Sequence, residues 1–379
     1  MRRLLVSQRL FEVDGLRIAV NDQEAAVRGD KVPPTSVHGE RLPFGWVEAI
    51  PGASFGVDAS ETLAVIGESS SGKSLMILGA FGLLPSGTRV LAGTTTYRGE
   101  SFEPAGRRQE PTRPIRRKER KRFARSGTVF DDADPEWARL AATEIGFLFQ
   151  NPIASWTPIL EIGPQAGEVL VEHTDLSDEE ITERVMDALG EVHLPKSRRL
   201  FSAFSSQLSR GMGQRAMLAA ALVKAPRLLV ADEPLSGLDV SVAAAILDLL
   251  KDLKERRDMA MIIVTHDLAV VSRIADRIAV VYAGRVIEEG AVGDVFRHPK
   301  HPYTSGLLGS LPSLTVGRLK PIPGEQPPLA SVPTGRCVFA ERCSYIDEAC
   351  VAAEPPLRKT DAGSVACHYA TELDLPGVR

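Results

Sequence analysis

Residues 67–74 read Gly-Glu-Ser-Ser-Ser-Gly-Lys-Ser and fit G-x-x-x-x-G-K-[ST]. A run of backbone N–H groups leading into a helix N-terminus concentrates positive charge that suits nucleotide phosphates. In such a loop Gly67, Ser69, Ser70, Ser71 and Gly72 surround the phosphates. Lys73 reaches the terminal phosphate oxygens, and the Ser74 hydroxyl ligates Mg²⁺. A second constellation is the apolar run Leu228-Leu229-Val230-Ala231, which ends in Asp232 and Glu233. At the C-terminal end of a strand, Asp232 is suited to hold Mg²⁺ through water and Glu233 to orient or deprotonate an attacking water. Together the two predict ATP hydrolysis. The only cysteines are Cys337, Cys343, Cys350 and Cys367, in the last part of the chain. Four thiolates suit an iron–sulfur cluster or zinc, although neither C-x2-C zinc spacing nor a ferredoxin run is present. Plain reduced thiols are the third reading, and disulfides are disfavoured in a cytosolic chain.

The elements that must position these groups alternate. Residues 58–66 end in a short apolar run and break into Gly/Ser, which predicts a buried strand entering the phosphate loop. Residues 228–231 and 261–264 are two further strands of parallel type. Helical periodicity runs from Val240 to Leu253. Between Ser177 and Gly190, Ser177 and Glu180 form a capping box, Ile181, Val185 and Leu189 recur at i+4, and Gly190 is placed at C′. The fold class is therefore α/β in layers.

Four further pieces are interleaved with these. Phe149-Gln150-Asn151-Pro152 resembles the glutamine loop of ATP-binding-cassette (ABC) ATPases, and Leu208-Ser209-Arg210-Gly211-Met212 their LSGGQ motif. Ser236-Gly237-Leu238-Asp239 resembles the D-loop. Thr265-His266-Asp267, 33 residues past Glu233, is similar to the switch that senses the γ-phosphate. Val281 to Glu288 and His298-Pro-Lys-His301-Pro-Tyr303 narrow the resemblance to the oligopeptide/dipeptide branch of importers. The two histidines read as proline-fixed turns before a metal pair.

The resemblance implies a P-loop NTPase fold of the ABC type, with a RecA-like core, an N-terminal antiparallel β subdomain and a helical subdomain. It places an ATPase domain at 1–300, with a basic insertion at about 103–140 and the helical subdomain at about 150–210. A C-terminal extension with the four cysteines follows at 301–379. It implies Glu233, His266 and Gln150 as catalytic residues. Ser74, Gln150 and Asp232 are implied around Mg²⁺, and Ser209, Gly211 and Asp239 as further nucleotide contacts. In some members of this branch the tail binds a [4Fe-4S] cluster, which makes Cys337, Cys343, Cys350 and Cys367 its ligands here, with Zn²⁺ as the alternative.

Three positions depart from that pattern. Arg210 stands where the family has Gly and brings backbone close to the partner's γ-phosphate. Since hydrolysis occurs at a dimer interface, this predicts a heterodimer with a second ABC ATPase whose LSGGQ is intact. Ser70 replaces a common Gly, and a negative φ would accommodate it. The adenine-stacking aromatic aligns with Val20, leaving Phe44 or Trp46 as substitutes.

Composition sets the class. The chain has 379 residues, 44% hydrophobic and 25% charged, and a net charge of -4. This excludes a disordered chain and a general nucleic-acid coat. No apolar run is long enough to span a bilayer, and Leu4-Leu5-Val6 behind Arg2-Arg3 is too short for a signal peptide. The expected location is the cytoplasmic face of the cell membrane, peripherally. The expected partners are two transmembrane permease subunits, the second ATPase and, through the permeases, an extracytoplasmic solute-binding protein. No nucleic acid is expected. Gly106 to Arg125 carries ten Lys/Arg against two acids and reads as a solvated insertion; a basic patch is the alternative. The Pro-rich stretch 312–333 reads as a connector to the cysteine segment. Peptide import is the leading function. Import of nickel or another small solute, and an ABC ATPase acting on nucleic acid through the basic stretch, are the alternatives.

Overall fold

Alternating burial makes the first strand one side of a sheet. In β1 (Arg9–Asn21), Phe11 and Val13 are buried, then Leu16 and Ile18, the change of parity falling at the register irregularity between Asp14 and Arg17. The computed structural model describes residues 9–21, 36–37, 40–42, 46–103, 134–310 and 321–378. The Arg-rich stretch 106–125, residues 1–6, Phe44 and residues 312–320 lie outside the described residues. The chain divides into two compact units.

One unit contains Arg9–Gly56, Ile66–Ala138 and Ile278–Arg379. In it β1, β4 (Trp46–Asp58), β6 (Thr88–Tyr97) and β7 (Glu100–Phe102) form a sheet ordered β4-β1-β6-β7. β1 runs antiparallel to β6, with Phe11 opposite Tyr97 and Val13 opposite Thr95. Two short strands, β2 (Ser36–Val37) and β3 (Glu40–Arg41), pair with each other. Phe11 stacks on Phe81 at 4.5 Å between ring centroids, and the buried Trp137 packs against Phe81, Tyr97 and Phe102. Each such ring pair contributes about 0.5–1.5 kcal/mol beyond its buried area. α1 (Lys73–Ala80) follows the phosphate loop. Further on, β11 (Arg277–Tyr282), β12 (Arg285–Ala291), β14 (Gly363–Val365) and β13 (Arg358–Thr360) are neighbours in that order. The cysteine tail thus enters the sheet through β14, antiparallel to β12.

The other unit contains Val57–Val65 and Arg139–Arg277. Its strands are β5 (Thr62–Ile66), β8 (Ile145–Leu148), β9 (Leu228–Asp232) and β10 (Ala260–Thr265), ordered β5-β10-β9-β8. β9 is parallel to both β8 and β10. β5, β9 and β10 are wholly buried, as continuous apolar runs require when a sheet is covered on both faces. The helices are α2 (Pro135–Glu144), α3 (Ile162–His173), α4 (Asp178–Glu191), α5 (Arg198–Phe201), α6 (Arg210–Leu222), α7 (Val240–Arg257) and α8 (Leu268–Ile274). One core runs from Leu170 and Leu189 through Leu218 to Leu229, Leu250 and Ile263.

The predicted strands and helices are present, and the Ser177/Glu180 capping box is formed at both of its hydrogen bonds. Gly190, however, is not the C′ residue. α4 continues to Glu191, and His193 takes the left-handed turn at φ 59°. Gly190 is instead covered by the Lys196 side chain, whose Cε lies 2.2 Å from where a Cβ would stand, so close packing accounts for the glycine. α7 likewise runs beyond Leu253, to Arg257.

Among the described residues the first unit also has the α-helices α9 (Val292–Arg297), α10 (Pro302–Gly309) and α11 (Glu348–Ala352). His301 caps α10; its Nδ1 accepts the Tyr303 N–H at 3.0 Å, and its ring is buried. The expected structural turn is what forms here. Burial pushes the imidazole down to about 3, from 6.5. The unfolded chain therefore takes the proton first, so this stability is complete above pH 6.5 and is lost as pH falls toward 3. Between pH 7 and pH 5 the loss is about 2 kcal/mol. The neighbouring Glu288 is raised by burial and acts with the opposite sign, so the comparison needed is between proteins. Urea midpoints at the two pH values should diverge for the wild type by that amount more than for His301→Asn. Parallel shifts in both would remove His301 from the account.

Candidate nucleotide site

The phosphate loop is built around its own lysine. Lys73 is buried, and its Nζ donates to the carbonyls of Gly67 at 2.9 Å and Glu68 at 2.8 Å. Gly67 has φ 156°, and a Cβ there would stand 2.1 Å from the Val281 carbonyl oxygen. Gly72, at φ 94°, is the N-cap of α1, whose first turn carries no acid. Ser69 and Ser70 are exposed, Ser74 is half-buried in the first turn of α1, and Ser71 is fully buried with its Oγ unpaired. The Ser71 carbonyl accepts the Gly284 N–H at 2.8 Å. Ser70 differs from the expectation: its φ is 65°, in the left-handed region rather than negative. A non-glycine residue there carries strain of about 1–3 kcal/mol, which the loop's own hydrogen bonds hold in place. A helix N-terminus, close-packed glycines and an orphaned buried hydroxyl fit a bound anion.

The adenine side is less open. Val20 sits on β1 opposite Thr88. Trp46 already carries the Arg89 guanidinium, 5.4 Å from its ring centroid, so one face of the aromatic is taken.

In the other unit, β9 ends on Asp232, which is buried. Glu233 turns away at φ 47°, and its N–H donates to the Val264 carbonyl at 2.9 Å. Its Oε1 lies 2.8 Å from Nδ1 of His266, which follows β10. A carboxylate only accepts, so Nδ1 carries the proton of this contact. Two residues read separately from the sequence are thereby one unit of chemistry. Glu233 is shielded and His266 is largely exposed, an acceptor held still beside a group free to meet a ligand.

Ser209 caps α6 by accepting the Met212 N–H. Asp239 caps α7, accepting from Val242 N–H and Ser241 Oγ. The Ser241 hydroxyl and then the Val242 amide hold its carboxyl below the usual carboxylate range. Arg210 folds its guanidinium onto Gly237, with carbon and nitrogens about 2.5–2.6 Å from where a Cβ would be. Gly237 has φ 68°, a turn conformation that favours glycine, and the guanidinium uses the space left by the missing side chain. Gly211 lies beside Val242. Gln150 is exposed just past β8, behind Phe149, which stacks on Phe147.

The four cysteines are free. Among the described residues, no group of three or more His, Cys, Asp or Glu side chains is gathered closely enough to hold a metal ion. The thiols are nevertheless neighbours. Burial pushes Cys337 and Cys367 each up to about 11 and raises Cys343 and Cys350, and in every pairing among the four one charge raises the other.

Sequence reasoning gave no role to Glu68 within the loop, nor to Tyr303 and Arg342, which touch the loop through it. Tyr303 Oη accepts the Glu68 N–H at 2.9 Å, and Arg342 grips the Glu68 carboxylate. The only signal available was an acid inside an anion-binding loop, which calls for a cation somewhere.

Residues 50–236 match the ABC transporter family, and residues 287–350 match the oligopeptide/dipeptide transporter C-terminal region. The chain is 36% identical to the oligopeptide transport ATP-binding protein OppD of Bacillus subtilis, over 88% of this chain and 87% of that one. It is 36% identical to OppD of Escherichia coli, over 87% and 90%. The ATP-binding cassette MJ0796, solved as a post-hydrolysis dimer bound to ADP and Pi, shares the fold at a TM-score of 0.55. That match has 21% identity and covers 75% of this chain and 99% of that one.

Proposed function

The chain belongs to the oligopeptide/dipeptide family of ABC transporter ATPases, and from that membership we propose how its residues divide the work. It is the ATP-binding, ATP-hydrolysing subunit of a peptide-class importer. Lys73 and the backbone donors of 67–74 hold the phosphates. Toward Mg²⁺ the family pattern offers the Ser74 hydroxyl in one unit and Asp232 and Gln150 in the other; the ion, when bound, would neutralise charge on the β- and γ-phosphates. Glu233 takes up or orients the proton of the attacking water, and His266 meets the terminal phosphate. The observation that carries this reading is the 2.8 Å Glu233–His266 contact at the ends of two buried parallel strands.

Permease docking is assigned to the surface near Gln150. Ile159 is 80% exposed and Leu160 50%, with Phe149 also open, an apolar surface that invites a partner element. Among the described residues no helix is long and apolar enough to cross a membrane. In this reading the chain attaches peripherally, through the permeases. The Arg210 guanidinium over Gly237 occupies ground that a glycine would leave to a phosphate, which favours pairing with a second ATPase of intact signature. Cys337, Cys343, Cys350 and Cys367 would be the ligands of a [4Fe-4S] cluster, with zinc as the alternative.

Purification of the chain from its native membranes in mild detergent, without oxygen, tests the whole. Two polytopic permeases and a different ATPase should co-purify, with iron and acid-labile sulfide on this chain. The assembly, with its solute-binding protein, should take up labelled peptide only with ATP. A preparation with no permease would overturn the importer reading. A chain that pairs with itself and hydrolyses ATP at the full rate would end the heterodimer.

A further inference from the structure

The cysteine segment reaches the phosphate loop directly. Arg342, buried, donates from Nη1 to Glu68 Oε2 at 2.6 Å and from Nη2 to Oε1 at 3.0 Å. Its Nε donates to the Pro323 carbonyl at 2.8 Å, and its guanidinium lies 5.7 Å over the Tyr282 ring. All three guanidinium nitrogens are therefore engaged, and the direction of the fork is set by the tail. The turn that carries it, Ala340–Arg342, is strung between two of the cysteines: Ala340 N–H donates to the Cys337 carbonyl and Cys343 N–H to that of Ala340. Phe339 anchors the same turn edge-on to Tyr282 and Tyr303. On the loop side, Glu68 donates its N–H to Tyr303 Oη and lends its carbonyl to Lys73.

A carboxylate beside a phosphate cradle repels the ligand unless it is neutralised, and the bidentate guanidinium neutralises it while fixing its position. We propose that the C-terminal cysteine segment is a clamp on the phosphate loop, with Arg342 as the positioning residue that neutralises Glu68 and so sets the affinity for ATP. The clamp rests on the nucleotide-binding reading above. It adds that whatever holds Cys337 and Cys343 in place also holds Arg342, and through it the loop.

Binding of a fluorescent ribose-labelled ATP with Mg²⁺ to the full-length chain tests it. Arg342→Ala should raise the Kd about tenfold, the effect of one uncompensated charge within the phosphate loop. Arg342→Lys, which keeps the charge and loses the fork, should fall between. The double variant Glu68→Gln with Arg342→Ala should return to within about twofold of wild type, because the charge that needed neutralising is gone. A merely structural arginine gives no such rescue. Unchanged affinity in a folded Arg342→Ala protein overturns the clamp, and so does a double variant as weak as the single. Should Arg342→Ala fail to fold, the double variant decides alone: near-wild-type affinity supports the clamp and tenfold weakening overturns it. A wild-type chain that binds no ATP would instead sink the nucleotide reading beneath it.

Discussion

Replacing Glu233 by Gln should lower steady-state ATP hydrolysis by about 10²–10⁴-fold while ATP binding stays within about twofold. The two side chains have the same shape, and the Glu233 backbone is held by its N–H bond to Val264, so no rearrangement is required. What changes is proton affinity. Gln can still meet His266 Nδ1 but cannot accept a proton from water or hold a negative charge beside it. An acceptor that acts only in the chemical step should appear in kcat and leave nucleotide affinity alone. The variant should then accumulate in the ATP-bound closed state. Single-turnover hydrolysis with equilibrium ATP binding separates the two terms. Turnover within a factor of two of wild type would strip Glu233 of its role.

Gly67→Ala should be the most damaging single methyl in the site. At φ 156° an L side chain is strained, and the new Cβ would lie 2.1 Å from the Val281 carbonyl oxygen. The obstacle is backbone of a buried strand, not the end of a flexible side chain, so it cannot step aside. Strain and overpacking together reach about 3–5 kcal/mol. The expected result is a fall in Tm of about 4–10 °C and loss of measurable ATP binding. Gly15→Ala is the control: φ is 60°, nothing lies within 4 Å of the added carbon, and only the conformational penalty remains. Equal melting temperatures for the two variants would show that the approach to Val281 does not constrain the loop.

Short windows carried much of the site. The Gly-Lys-Ser loop, the strand that enters it, the acid pair closing β9 and the Ser177/Glu180 box are each set by neighbours within a few residues, where φ preferences and local hydrogen bonds decide the backbone. Wherever only local geometry was at stake but packing intervened, the reading slipped. Ser70 tolerates φ 65° because the surrounding loop imposes it, and Gly190 answers to Lys196 rather than to the helix end.

By itself the sequence determined which chemistry is present: phosphate cradle, paired carboxylates, a histidine, four thiols and the family order that links them. Tertiary structure alone decided who touches whom. Glu233 and His266 meet because β9 and β10 are parallel neighbours in register, which brings their C-terminal ends side by side. Arg210 was legible as a misplaced cation, but its seat on Gly237 depends on where two loops pack. The Arg342–Glu68 grip joins positions 274 residues apart. No local periodicity encodes such a contact, because its partners are chosen by how separately formed elements fill space and pair charge once the chain has collapsed.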